Sequence, residues 1–155
     1  MASRILRDAA DVDAFVRLLC AVKLPVTVTW VQGADRSYEQ NALMWLWAGE
    51  VAAQIGDREA ADVQAEWKLT IGIPILRADD PGFREKYDKT VRHLSYADKI
   101  VVMRDLDFPV TRHMKVRQMC RFLAQVERKC VEMGLTLTQP PDDLADYNRR
   151  YGRAA

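Results

Sequence analysis

The residues best suited to chemistry lie in one stretch of the sequence, from Arg36 to Trp45. Gln40 and Asn41 place two side-chain amides next to each other, and each amide offers both hydrogen-bond donors and an acceptor. Arg36 precedes them, where the positive N-terminal end of a helix would favour a bound phosphate. The amides either satisfy backbone groups of a neighbouring turn or form a polar recognition site, and the residue types allow both.

A helix is predicted to carry these amides. Ser37 followed three residues later by Gln40 fits a capping box, in which the two residues satisfy each other's backbone N–H groups. The helix should span about residues 38–55 and end near Gly56. A rotation of about 100° per residue places Gln40 on the apolar side of this helix and Asn41 at its edge. We therefore expect both amides to be partly buried and to need hydrogen-bond partners.

A basic face is the second candidate site. It belongs to a long helix predicted from about Arg112 to Met133, in which six Lys or Arg up to residue 129 stand against one acid. Such a face can neutralise phosphates, which would make binding salt-dependent, although a solvated helix face has the same composition. The basic residues are Arg112, Lys115, Arg117, Arg121, Arg128 and Lys129. Only Arg117, Arg121 and Arg128 share one face of the helix, and Arg112 and Lys115 lie at its start.

Tryptophans offer a further means of binding nucleic acid. Any indole that reaches the surface could stack on an unpaired base. Their helical and strand spacing favours core positions for most of them, so we expect at most one to act in this way. The four are Trp30, Trp45, Trp47 and Trp67.

Signatures of catalysis are scarce. The chain lacks a Gly-rich phosphate loop, a nucleophile elbow and a helical His-Glu-x-x-His pair. Asp105 and Asp107 could bind Mg²⁺ together with a third carboxylate such as Glu50 or Asp88, as a nuclease would require. An Asp-x-Asp pair before Phe-Pro is more typical of a turn. The sequence therefore predicts no enzyme, no metal and no cofactor, with a Mg²⁺-dependent nuclease as an alternative.

Composition sets broad limits. The chain has 155 residues and a net charge of +1, so it suits one domain whose binding of nucleic acid would depend on a local patch. No apolar run approaches the roughly 20 residues of a membrane span, and the N-terminus lacks a signal-peptide pattern, which predicts a cytoplasmic protein. Cys20, Cys120 and Cys130 are expected to be reduced and buried. His93 and His113 are interpreted as isolated residues on helix surfaces.

The predicted elements mix strands with helices. Helices are expected at about 9–22, with a core-facing apolar stripe, and at about 57–69, 83–94 and 142–151, besides the two already described. This alternation predicts an α+β fold, in which a small sheet of short strands packs with several helices. It should form a single domain over residues 1–155, with 139–155 as a short helical tail. The candidate strands are Ser3–Arg7, Val26–Val31, Lys99–Met103 and Thr136–Thr138.

The long helix also carries an apolar seam. Its members step alternately by three and four residues, which suits either core packing or a dimer interface. In a domain of this size core packing is the more usual role. The seam residues are Val116, Met119, Leu123, Val126, Cys130 and Met133.

Several stretches of the chain resemble one known family. Arg36-Ser37-x-x-Gln40-Asn41-x-x-x-Trp45 closely resembles the hallmark of the phage recombination proteins called NinB, or Orf. The resemblance extends to the predicted strand before it (Val26–Gln32), to Glu66-Trp67-Lys68, to Thr111-x-x-Met114-x-Val116 and to the aromatic-bearing C-terminal tail, and it covers most of the chain in order. Two features depart from the family pattern. The region 74–95 is longer and more charged, and Leu137 stands where a tryptophan is expected.

The resemblance implies a recombination mediator without catalytic activity. Such proteins look like homodimers of mixed α/β fold that bind single-stranded or gapped DNA, contact single-stranded-DNA-binding protein, and help a recombinase or annealing protein to load in the bacterial cytoplasm. Arg36, Gln40, Asn41 and Trp45 would form the shared site, with Arg112 near it if the helix after Thr111 starts close by. A protein-interaction module that uses the long helix is the other alternative. The candidate DNA-binding residues are Arg36, Gln40, Asn41, Trp45, Arg112, Lys115, Arg117, Arg121 and Arg128.

Overall fold

The protein is all-α over the part that the structure describes. The computed structural model describes the backbone at residues 6, 8–28 and 35–152, and the side chains there except those of 35–38, 143, 147 and 150–152. A short π-helical segment, Lys68–Gly72, joins α3 to α4. The α-helices are α1 (Ala9–Ala21), α2 (Asp35–Ile55), α3 (Ala60–Trp67), α4 (Ile73–Asp79), α5 (Pro81–Thr90), α6 (Tyr96–Arg104), α7 (Val110–His113), α8 (Val116–Glu132) and α9 (Asp142–Gly152).

The predicted α+β fold is wrong, because residues 6, 8–28 and 35–152 contain no strand. The same residues do not show the mixed α/β fold that the family resemblance implies. Lys99–Met103 lies within α6, where Ser95 caps the helix by accepting a hydrogen bond from the Asp98 N–H at 3.1 Å. The β-branched residues there adopt a helix, since the cap is local and no partner strand is available. Of Val26–Val31, residues 26–28 have no regular structure, and the rest lie outside the described residues, as does Ser3–Arg7 apart from residue 6.

Thr136–Thr138, another predicted strand, has no regular secondary structure and is held by side chains of α2. The Gln54 amide accepts a hydrogen bond from the Thr136 N–H at 2.9 Å and donates one to the Thr136 carbonyl at 2.6 Å. Trp47 Nε1 donates to the Thr138 carbonyl at 2.8 Å. The backbone groups that a strand partner would satisfy are therefore paired with a helix surface instead.

The chain separates into two compact units, Met1–Asp35 and Arg36–Ala155. The first unit contains α1, which begins as predicted, with Asp8 Oδ1 accepting from the Asp11 N–H at 2.9 Å. The expected burial of its apolar stripe is wrong: α1 has no buried residue, and Val12 and Val16 are exposed. Cys20 is exposed too, whereas Cys120 and Cys130 in the second unit are buried as predicted.

In the second unit, a nearly continuous helical run from Ala60 to Asp79 connects two apolar clusters. In the π-helical segment the Ile73 N–H donates to the Lys68 carbonyl, five residues earlier. This wider turn lies just before Pro74, whose ring would clash with the carbonyl four residues earlier in a regular α-helix. The helical run therefore continues through Pro74, about ten residues beyond the predicted end near residue 69.

The two clusters form the core of the second unit. The larger one joins α2, α3, α8 and α9, and contains the buried Trp47, Phe122 and Leu144. The smaller one joins α4 to α7 around Tyr87 and Met103. Among the described helices, none is long and apolar enough to cross a membrane.

The long helix predicted from Arg112 to Met133 is two helices. Met114 and Lys115 have extended backbones (ψ 130° and 159°) between α7 and α8. Gly134, at φ 74°, follows the end of α8 in the expected position. The apolar seam of α8 packs into the larger cluster, where Leu123 and Val126 are fully buried, so the seam is core; only its last member, Met133, is exposed.

Gly72 allows α7 to approach the π-helical segment closely. A Cβ atom at this position would lie 2.6 Å from Val110 Cγ1 and 3.3 Å from Met114 Cε. We expect Gly72→Ala to lower the free energy of unfolding by about 1–3 kcal/mol, as overpacking does. Urea denaturation followed by circular dichroism measures the change.

Gly49 provides the matched control. It also lies in a helix, but its added Cβ would meet nothing within 4 Å. Gly49→Ala should leave stability unchanged or raise it by up to about 1 kcal/mol, since alanine is the better helix former. Equal effects of the two substitutions would show that the α7 contact is not as close as described.

Candidate functional site

Three stretches that are distant in the sequence meet at one pocket of about 490 Å³ in the second unit. The first stretch is at the start of α2, the second is where α3 becomes the π-helical segment, and the third runs from the turn before α7 into α8. The lining residues are Gln40, Asn41, Trp45, Gln64, Lys68, Asp107, Thr111, Arg112, Met114, Val116 and Met119. These include the predicted Gln40, Asn41, Trp45 and Arg112, which the fold brings together as the sequence led us to expect.

Trp45 is the tryptophan available at this pocket. Its side chain is exposed (42%), whereas Trp47 and Trp67 are buried in the core, and Trp30 lies outside the described residues. Asn41 is exposed beside it. The pocket therefore combines an accessible aromatic surface with an accessible amide, a pair that can stack on and hydrogen-bond a planar ring.

Gln40 is fully buried at the pocket wall. Its Nε2 donates to Asn148 Oδ1 of α9 at 2.8 Å and to Cys120 Sγ of α8 at 3.1 Å. Its Oε1 is buried and has no hydrogen-bond partner. The amide thus ties three helices together while leaving one acceptor unsatisfied, which is costly unless a ligand or water supplies a donor.

The capping box predicted for Ser37 and Gln40 is wrong. α2 already begins at Asp35, so Ser37 lies inside the helix, where it cannot act as N-cap. Gln40 uses its amide across the core and not toward the helix start. The predicted end of this helix is confirmed, because α2 stops at Ile55 and Gly56 has φ 83°.

Two cations and one carboxylate also line the pocket and give it charged groups. Lys68 is buried, and its Nζ donates to Asp107 Oδ1 at 2.9 Å. Arg112 is exposed and pairs with Asp107 Oδ2. The hydrogen bond from Lys68, reinforced by the charges of both cations, lowers the pKa of Asp107. The three groups together carry one net positive charge at neutral pH.

Asp107 adopts an unusual backbone. Its φ is 42°, the only positive φ of a non-glycine residue in the described ranges. Left-handed conformations are uncommon for such residues, although aspartate tolerates them better than most. The turn that sequence analysis predicted at Asp105–Pro109 thus directs one of its carboxylates to the pocket.

Several basic residues of α8 are paired with acids. Arg121 contacts Asp79 at 2.8 Å, and Lys129 contacts Glu66 at 3.0 Å. Arg128 lies 4.0 Å from an acid one turn later, with both side chains exposed. These pairs reduce the positive potential that the face offers to a polyanion.

Lys115 and Arg117 are exposed and pair with no acid among the residues that the structure describes. They flank the start of α8, beside the pocket residue Val116. Arg36 lies in the first turn of α2, and its side chain is outside the described set. The unpaired positive charges of Lys115 and Arg117 therefore lie at the end of α8 that is next to the pocket.

Glu66 lies in α3, two residues before Lys68, and links α3 to α8. It pairs with Arg58 at 2.7 Å as well as with Lys129. Burial, the largest single influence, raises the pKa of Glu66, but the hydrogen bonds and charges of Lys129 and Arg58 together lower it. The two ion pairs of Glu66 therefore hold α3 in place, while Lys68 lines the pocket.

The carboxylates proposed for Mg²⁺ are engaged elsewhere. Both oxygens of Asp107 accept hydrogen bonds from cationic side chains, and Asp105 lies 3.6 Å from Arg104. Asp88 accepts two hydrogen bonds from Arg77 at 2.9 Å. Over the described residues, no three Asp, Glu, His or Cys side chains are grouped so that they could hold a metal ion.

Sequence reasoning missed part of this site. Lys68 was noted only within a resemblance, and Gln64 not at all, although Lys68 follows a tryptophan in the pattern Glu66-Trp67-Lys68. Asp107 was interpreted only as a turn residue or a metal ligand. A lysine within an apolar helical stretch is the one signal that could have indicated a buried cation with a function. Comparison of the chain with protein-family models, with curated proteins and with solved structures finds no match in any of the three.

Proposed function

We propose that this chain is a non-enzymatic, single-stranded-DNA-binding recombination mediator of the NinB, or Orf, type. The observation that carries the proposal is that three of the stretches that resemble the family meet at one pocket. Arg36–Trp45, Glu66–Lys68 and Thr111–Val116 are separated by tens of residues, yet each contributes side chains to the same wall. Polar side chains that bind one ligand converge on one cleft, so stretches with a shared binding function are expected to line the same pocket.

The pocket has the groups that an unpaired nucleotide requires. Trp45 offers a face on which a base can stack, and the exposed amide of Asn41 offers hydrogen-bonding atoms for its edge. Lys68, Arg112 and the nearby Lys115 and Arg117 supply positive charge for the backbone. The volume of about 490 Å³ falls in the range of sites for small ligands, about 300–1,000 Å³.

Single-stranded DNA suits this arrangement better than a duplex. In a duplex the bases are stacked on each other, so Trp45 could be reached only after a base is flipped out at a cost of a few kcal/mol. The small net charge of +1 also argues against binding that depends on electrostatics alone. The proposal includes a homodimer that contacts single-stranded-DNA-binding protein and a recombinase or annealing protein.

The two alternatives have less support. A nuclease that uses Asp105 and Asp107 would need carboxylates free to bind Mg²⁺, and both oxygens of Asp107 are engaged with Lys68 and Arg112. An interaction module based on the seam of α8 would need that seam on the surface, and it lies in the core.

A fluorescence anisotropy titration of the full chain with a labelled single-stranded oligonucleotide tests the proposal. We expect binding at low salt that weakens as salt rises, and a weaker response to a duplex of the same length. An intact oligonucleotide after incubation with Mg²⁺ is expected as well. Absence of binding at low salt, or preference for the duplex, would contradict the proposed function.

A further inference from the structure

The buried ammonium of Lys68 has more hydrogen-bonding capacity than the folded chain uses. Its side chain is only 3% exposed, and Asp107 Oδ1 at 2.9 Å is its hydrogen-bond acceptor. An ammonium has three N–H donors, and a buried charge is stable only when it is paired and hydrogen-bonded. Lys68 lines the pocket, so further acceptors can reach it only from a ligand or water in that space.

Arg112 completes a pair of cations around the same carboxylate. It is exposed and donates to Asp107 Oδ2, while Lys68 donates to Oδ1. A carboxylate with both oxygens bridged by a lysine and an arginine has the arrangement that these cations also give to two phosphate oxygens. The Asp107 carboxylate therefore occupies a position suited to an anion of the ligand.

Asp107 is well placed to yield this position. Its side chain is 59% exposed, and it lies in the non-helical segment between α6 and α7. Its φ of 42° is uncommon for a residue other than glycine. An exchange of the carboxylate for a phosphate would leave both cations paired.

We propose that Lys68 and Arg112 form a phosphate subsite of the pocket, and that the Asp107 carboxylate occupies it in the ligand-free protein. The subsite deepens the proposed function and rests on it, because it assigns the backbone phosphate to this side of the pocket. The chemistry recognised is a phosphate group, whether it belongs to a DNA diester, a mononucleotide or free inorganic phosphate.

Anion rescue of the variant Asp107→Asn tests the subsite. Asparagine keeps an acceptor for Lys68 and tolerates a positive φ, but it removes the negative charge. We expect the variant to unfold at a lower temperature than the wild type in chloride, because the charge of buried Lys68 loses its partner. Inorganic phosphate at matched ionic strength should raise the unfolding temperature of the variant more than that of the wild type.

Asp105→Asn is the matched control. Asp105 lies two residues earlier in the same turn, contacts Arg104 at 3.6 Å and is not part of the pocket. Phosphate should stabilise this variant no more than the wild type. If phosphate stabilises Asp107→Asn and the wild type equally, the ion pair is only structural and the proposal is wrong.

Three ligands distinguish the sources of the phosphate. The probes are inorganic phosphate, a 5′-mononucleotide and an oligonucleotide without terminal phosphates. For the oligonucleotide, Asp107→Asn should bind more tightly than the wild type at low salt and increase the slope of log Kd against log salt by about one. Weaker binding by Asp107→Asn would overturn the proposal.

The failure of this inference differs from failure of the proposed function. Binding of the oligonucleotide without phosphate rescue would reject the subsite and keep DNA binding. Phosphate rescue without oligonucleotide binding would reject DNA binding and keep a phosphate site. If Asp107→Asn does not fold, the exposed Arg112→Gln gives the answer, since the subsite requires its salt slope to fall by about one, and an unchanged slope would overturn it.

Discussion

Trp45→Ala is expected to weaken binding of single-stranded DNA by about 1–3 kcal/mol, which is roughly fivefold to more than a hundredfold in Kd. Trp45 is the exposed tryptophan at the pocket, so its loss removes the surface on which a base would stack. The loss should be similar for different base sequences, because every base has an aromatic face. Anisotropy titrations with homopolymeric oligonucleotides measure both effects.

Leu46→Ala is the matched control for Trp45. The two neighbours are similarly exposed (42% and 47%), but Leu46 is not part of the pocket wall. Its substitution should change Kd by less than about twofold, since it removes no contact with the ligand. Equal losses in the two variants would place the DNA elsewhere on α2 or indicate a general effect on the helix.

Phe122→Ala is expected to lower the free energy of unfolding by about 3–5 kcal/mol. Phe122 is fully buried in the larger cluster, and its ring lies opposite Gly72 of the π-helical segment, where an added Cβ would be 3.5 Å away. Removal of the ring leaves a cavity between α8 and the helix that carries Lys68. Chemical denaturation at a fixed ionic strength measures the loss.

Val131→Ala on the same helix separates burial from helix propensity. Val131 is exposed (66%), so its truncation should change stability by no more than about 0.5 kcal/mol. A small effect of Phe122→Ala, comparable with that of Val131→Ala, would show that α8 does not pack through this face. The folded fraction of Phe122→Ala should also bind DNA less well, because Met119, three residues before Phe122 on α8, lines the pocket.

The helix ends that the sequence predicts correctly are those set by caps and glycines close by in the chain. Asp8 begins α1, Gly56 follows α2 and Gly134 follows α8, because caps and left-handed glycines act within one turn of the chain. The strand prediction for Lys99–Met103 failed because β-branched residues adopt either structure according to their partners. The N-cap at Ser95 favours a helix here, and strand propensity alone does not take that cap into account.

Long-range pairing explains what could not be predicted about charge. Arg121 and Lys129 lie on a face that is basic in the sequence, but they are paired with Asp79 and Glu66 from α4 and α3. Periodicity within one helix contains no information about acids from other elements. The burial of the α8 seam was the more usual of two alternatives, whereas the break at Met114 was not foreseen at all.

The candidate site was predicted in part because its residues were clustered in the sequence. Gln40, Asn41 and Trp45 are neighbours on α2, and Arg112 was expected near them only through the position of Thr111. Lys68 reaches the pocket through the π-helical segment, a local departure from α-helical geometry that residue spacing does not reveal.

The central claim is that single-stranded DNA lies in the pocket and not on the outer face of α8. Photo-crosslinking to an oligonucleotide that carries 5-iododeoxyuridine, followed by peptide mapping, tests it most directly. We predict that the main crosslink is at Trp45, and that Trp45→Ala abolishes it while Leu46→Ala does not. Crosslinks confined to α8 peptides around Arg121 and Arg128, with none at Trp45, would contradict the claim.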